Sequence, residues 1–145
     1  MRSKVYGRGV TVSSQPDTQP AQSVAAGLSI GEAALRLGVS AHTLRYYERV
    51  GLLEVPRLRS TQRRYGPQEL EWLRFLLALR ATGMPMQLIR RYVGLVRTGE
   101  NTVTERRALL LEHQRAVKAQ IAALHESLGA IERKIQWYDH REQVN

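Results

Sequence analysis

The 145-residue sequence contains no cysteine, which excludes disulfides, thiolate metal sites, redox-sensing thiols and cysteine nucleophiles together. No apolar run approaches the roughly 20 residues needed to cross a bilayer, and residues 1–27 hold no apolar stretch of the secretory kind. The expectation is a cytoplasmic protein without membrane contact. Parts for catalysis are missing as well: there is no Gly-rich phosphate loop, no H-E-x-x-H and no nucleophile beside a base, so neither an enzyme nor a cofactor is expected. Acidic residues are the scarcer charge, 13 against 22 Lys and Arg, giving a net charge of +9. An excess of that size in so short a chain points to a polyanionic partner, nucleic acid first.

The charge is unevenly spread. Residues 1–27 carry three bases and one acid, residues 28–99 carry twelve Arg and five Glu, and residues 100–145 carry seven of each sign. These segments are the expected domains: a disordered tail rich in Ser, Gln, Pro, Gly and Thr, a basic DNA-binding domain, and a charge-balanced dimerisation helix with a short tail. All bases of the middle segment are Arg, whose planar fork suits phosphate and guanine edges.

At Leu28 a periodic pattern begins. Ser29 and Glu32 form an S-x-x-E capping box opening a short helix that contains Ala33, Ala34, Leu35 and Leu37 and ends at Gly38. Ser40 caps a second helix running to Gly51, and two short helices joined by a Gly-containing turn describe a helix-turn-helix. In the second helix Leu44, Tyr47 and Val50 share one face, while His42, Arg45, Tyr46 and Arg49 share another. A polar, basic, aromatic stripe is ordinarily a solvated face, but here it lies on the element that enters a major groove. From Leu52 to Gly66 the pattern is short and irregular, with Arg57, Arg59, Arg63 and Arg64 close together. That suits a small β-hairpin wing set against phosphates or a minor groove.

Pro67 opens a third helix to about Thr82, with Leu70, Leu73, Leu77 and Trp72 or Leu76 facing inward. After Gly83 and Pro85 a fourth helix runs to about Thr98, burying Leu88, Ile89, Tyr92 and Val96. Thr102 and Glu105 suggest another capping box, opening one long helix to about Asp139. Along it Leu110, Val117, Ile121, Leu124, Leu128, Ile131, Ile135 and Tyr138 fall in one register of alternating four- and three-residue steps, a coiled-coil seam interrupted by Gln114. At 1.5 Å per residue the helix extends on the order of 50 Å, more than the N-terminal unit could cover. A homodimer is expected, and the flanking charges leave its polarity open.

The run IGEAALRLGVSAHTLRYYERVGLLEVPR followed by QRRYGPQELEWLRFLLALRATGMPMQLIRRYV resembles the MerR-type transcription regulators, from residue 28 to about 138. The resemblance implies an all-α fold with a small β wing: a winged helix-turn-helix domain followed by a long dimerisation helix in an antiparallel coiled coil. It further implies a homodimer on double-stranded promoter DNA with an overlong spacer, which it distorts so that RNA polymerase can engage both promoter elements. Carried over by position, Thr43, Arg45 and Tyr46 touch bases or phosphates, and Ala41 and His42 tune sequence choice. Tyr47 also matches. Arg63 and Tyr65 grip the flanking backbone with Arg64 beside them, and Thr61 stands where relatives commonly have a wing-tip Gly.

In length and layout the chain resembles the thiol- and aldehyde-responsive branch, yet it has Val96 near the place of that branch's reactive Cys. No metal site is expected either, since His113 and His125 are too far apart along a helix to share one ion. A small-molecule effector, if one acts, would sit around Tyr92, Val96 and Leu109, although the plainer expectation is that these residues only pack the core. Two other functions fit the sequence: a coiled-coil protein binding nucleic acid without reading sequence, and a ligand-independent repressor of the same family.

Overall fold

The computed structural model describes residues 4–5, 11–12, 27–55 and 65–145. Within the expected tail, β1 (Lys4–Val5) and β2 (Thr11–Val12) form a two-residue antiparallel pair, Lys4 opposite Val12 and Val5 opposite Thr11. Five α-helices follow: α1 (Ile30–Leu37), α2 (Ala41–Arg49), α3 (Pro67–Ala81), α4 (Met86–Thr98) and α5 (Val103–Val144), with a 3₁₀ turn at Glu100–Thr102 before α5. The chain divides into two compact units, one through Arg106 and one from Arg107 onward. The tip of the expected wing, with Arg57, Arg59, Thr61, Arg63 and Arg64, lies outside the described residues. Its C-terminal flank is described. There Tyr65 and Leu28 exchange both backbone hydrogen bonds at 2.8 Å, an isolated antiparallel bridge.

Local chemistry sets the first two helices. Both arms of the Ser29 box are made: its hydroxyl accepts from the Glu32 N–H at 3.2 Å, and its own N–H donates to Glu32 Oε1 at 3.3 Å. Gly38 closes α1 at φ 69°, the left-handed conformation that residues with a Cβ resist. Ser40 caps α2 by accepting from the Thr43 N–H at 3.1 Å; each such cap stabilises by about 1 kcal/mol. The small Ala33 and Ala34 are buried on α1, and α2 buries Leu44 and Tyr47. Leu35 points out and is 85% exposed.

Pro67 stands at the start of α3, where its missing N–H costs nothing. The inward face of α3 carries Leu70, Trp72, Leu73, Leu76 and Leu79, so Trp72 and Leu76 are both core, while Leu77 is only half-buried. On α4 the buried set is Ile89, Tyr92, Val93 and Val96, while Leu88, expected to face inward, is only half-buried. Trp72 joins these layers. Its indole N–H donates to the Leu52 carbonyl at 2.9 Å, and its ring stacks on Tyr92 with centroids 6.3 Å apart.

The start of α5 differs from the capping box expected at Thr102. Gly99 takes φ 116° and ψ −168°, a region essentially confined to glycine, and the 3₁₀ turn follows it. That geometry turns the Thr102 hydroxyl back toward α4, where it donates to the carbonyls of Leu95 and Gly99 at 2.6 and 2.8 Å. Arg106, 2% exposed, donates to the same Gly99 carbonyl and lies 3.7 Å from Glu100. The helix then continues without a break through Gly129 for 42 residues, about 63 Å at the usual rise.

Candidate nucleic-acid interface

α2 is amphipathic in the sense its sequence requires. Leu44 and Tyr47 anchor it inward, while His42, Arg45 and Arg49 are exposed and Ala41, Thr43 and Tyr46 are half-buried at the edges. Burial holds the Tyr47 phenol above its usual pKa, opposed by the nearby Arg80 charge and reinforced by Tyr46. Two contacts order the outer face. The Thr43 hydroxyl lies 3.0 Å from the Ser40 hydroxyl, and the Arg49 guanidinium sits over the Tyr46 ring, 5.7 Å from its centroid. The first turn of α2 contains no acid, so its positive dipole end is uncompensated. A short capped helix with an exposed basic face and no acid in its first turn is suited to a groove lined with phosphates.

Tyr65, expected to grip DNA from the wing, has its side chain fully buried. Its role here is structural: beside the Leu28 bridge, a Cβ on Gly27 would come within 2.9 Å of the Tyr65 carbonyl, so the chain at Gly27 passes Tyr65 at backbone contact. Arg63 and Arg64 lie outside the described residues.

Beside α2 the structure brings together residues that the sequence reading did not connect. Arg49 at the end of α2 and Arg90 and Arg97 on α4 line an open cleft of about 390 Å³ together with Gly51, Leu52 and Gly94. Arg97 donates to the Gly51 carbonyl, fastening α4 to the turn that ends α2. The available signal was the seven-residue spacing of Arg90 and Arg97, two turns along one helical face. Nothing local ties them to Arg49.

The expected effector residues are arranged as core. Tyr92 packs between Trp72 and Phe75, its ring 5.6 Å from the latter, and Val96 is buried. Leu109 belongs to the second unit. Among the described residues no three His, Cys, Asp or Glu side chains cluster as metal ligands, and the sequence offers no thiolate. Among them, too, no helix is long and apolar enough to cross a membrane.

On the second unit the seam residues stand in the open. Ile121, Leu124, Leu128, Ile131, Ile135 and Tyr138 are all about half exposed or more, Leu124 reaching 70%, and Leu110 and Val117 are half-buried. Near the helix end Lys134 and Arg141 both lie 4.4 Å from the Trp137 ring centroid.

Fold and face together define a helix-turn-helix regulator of transcription. Residues 28–94 match the family described as MerR HTH family regulatory protein, and residues 70–136 match MerR, DNA binding. An HTH-type transcriptional regulator of Haemophilus influenzae, itself uncharacterised, is 38% identical over 108 residues, covering 74% of this chain and 80% of the relative. Heavy metal-dependent transcription regulator 2 of Rhizobium meliloti is 36% identical, with 68% of each chain covered. Among solved structures, HiNmlR, a MerR family regulator lacking the sensor domain and bound to promoter DNA, superposes with a TM-score of 0.73 at 36% identity, covering 77% of this chain and 86% of that one. The chain belongs to the MerR family of helix-turn-helix transcriptional regulators.

Proposed function

We propose that this regulator acts in the cytoplasm as a homodimer on promoter DNA, with no catalytic step of its own. The observation that carries the reading is the exposed, pre-ordered α2 face. On this reading Arg45 and His42 reach base edges, Ala41 and Thr43 set close approach at the helix start, and Tyr46 and Arg49 hold backbone phosphates; the exposure of His42, Arg45 and Arg49 supports it. Arg63 and Arg64 would add flanking phosphate contacts. The promoter-bound state of HiNmlR supports this assignment.

The uncovered seam supports the dimer. Six large apolar side chains in heptad register along one helix favour a second helix over water, and an antiparallel pair of α5 helices would carry one α2 at each end. Two recognition helices at a fixed separation read two half-sites. A change in that separation would bend or untwist the spacer between them and so alter how RNA polymerase meets the promoter. The sequence contains no cysteine and so offers no thiolate to a heavy metal, the dependence for which Heavy metal-dependent transcription regulator 2 is named. A regulator without a ligand remains the second reading, favoured by the filled core around Tyr92.

Footprinting on promoter fragments tests the function: protection of a discrete two-fold site is expected, and uniform weak protection refutes it. Affinity should fall on the order of a thousandfold between 50 and 200 mM salt if about six phosphates are neutralised. For the dimer, Leu124→Asp with Leu128→Asp should give monomers in sedimentation while circular dichroism still reports the folded N-terminal unit. A dimer surviving both changes refutes the seam.

A further inference from the structure

We propose that the cleft between the end of α2 and the outer face of α4 is an oxyanion site that binds a phosphate group through Arg49, Arg90 and Arg97. Arg49, Arg90 and Arg97 all line one concavity of about 390 Å³, and none of the described residues lining it is acidic. Positive side chains gathered around one concavity make it attractive to an anion. Arginine, moreover, is the cation whose fork pairs two-pronged with phosphate oxygens.

The cleft is built as well as charged. Arg97 is fixed by donating to the Gly51 carbonyl, and Gly51 holds φ 81°, with its missing Cβ position 3.9 Å from Arg97 Nη1. Arg49 is oriented from the other side by the Tyr46 ring. Between Arg90 and Arg97 the helix carries Gly94, and a Cβ placed there meets nothing within 4 Å. The wall is therefore open at the point where an oxyanion would approach the helix.

Such a group could come from the backbone of bound DNA or from a free phosphorylated small molecule. In either case it would couple α4 to the C-terminal end of α2. Only the DNA source rests on the function proposed above, because binding of a free anion can be read without DNA.

The test uses the full chain, inorganic pyrophosphate as probe, and two variants that act differently. Arg90→Ala removes one exposed charge, whereas Gly94→Gln keeps every charge and fills the opening, at a position where replacing glycine favours the helix. Calorimetry at constant ionic strength should show saturable pyrophosphate binding, one per chain, weakened at least tenfold by each variant. Duplex titrations at the same ionic strength then separate the sources. If pyrophosphate competes with DNA and both variants weaken all duplex sequences alike, with the salt slope shallower by about one, the site holds a backbone phosphate. If pyrophosphate binds without displacing DNA and both variants keep wild-type DNA affinity, it holds a small-molecule phosphate. The proposal is overturned by pyrophosphate binding that neither variant reduces. It is equally overturned if pyrophosphate fails to bind while both variants bind DNA normally.

Discussion

Replacing Trp72 by Phe tests how the helix-turn-helix is held against its supporting helices. The indole N–H meets the Leu52 carbonyl at 2.9 Å in a region where Trp72 is 3% and Leu52 1% exposed. Phe retains most of the stacking on Tyr92 but offers no donor, so a buried carbonyl loses its partner at a cost of about 1–3 kcal/mol. The smaller ring also leaves a void, which costs on the order of 1 kcal/mol. The expected loss is therefore about 2–4 kcal/mol, a large share of the 5–15 kcal/mol typical of a folded domain, and it should lower Tm by on the order of 10 °C. Urea titration followed by circular dichroism at one protein concentration measures it. A companion variant carrying benzothienylalanine, which keeps the bicyclic shape without the N–H, should show the hydrogen-bond part alone. Unfolding free energies within about 0.5 kcal/mol of wild type for both variants would refute the account, because surface changes alone have effects of that size.

Arg45→Ala should cost about 1–3 kcal/mol per half-site and relax preference at one base position in selection from random duplexes; an unchanged motif would remove Arg45 from base reading. Gly99→Ala should destabilise by about 1–3 kcal/mol in thermal unfolding, since φ 116° with ψ −168° is strained for any residue with a Cβ, and an unchanged Tm would refute that strain. Burial raises the Tyr47 pKa above its ordinary value of 10.0. Its contribution is accordingly whole below pH 10.0 and is lost as pH rises through the raised value. Tyr47→Phe should move alkaline unfolding to higher pH, and an identical alkaline midpoint would show that another group controls it.

What the sequence made legible was local. Ser29 with Glu32, Ser40, Gly38 and Pro67 act within a few residues of themselves, and each ends or begins a helix where its pattern places it. The failure at Thr102 is instructive because its T-x-x-E pattern resembles that at Ser29. Gly99 bends the chain first, and the Thr102 hydroxyl then finds carbonyls at the end of α4. Charged residues in the interior were equally hidden. Glu69 and Arg106 are buried, one in the first turn of α3 where the helix dipole favours an acid, the other against the Gly99 carbonyl. Hydropathy periodicity counts both as surface. The Arg cleft needs the fold itself, since Arg49 and Arg97 stand far apart in sequence and come to line one cleft only because Arg97 on α4 bonds to Gly51 just after α2.

The bridge between Leu28 and Tyr65 has a practical consequence for mapping the operator. Gly27 is too crowded to carry a reagent, with the Tyr65 carbonyl 2.9 Å from where its Cβ would be. A DNA-cleaving chelate carried upstream of it would nevertheless be tethered at the foot of the Arg-rich stretch, because Leu28 is bonded to the residue that closes that stretch. On a duplex bound as proposed, scission by such a probe would mark the DNA nearest Tyr65 of each subunit. The distance between the two sets of cuts on a promoter fragment would then give the separation and orientation of the paired subunits in base pairs.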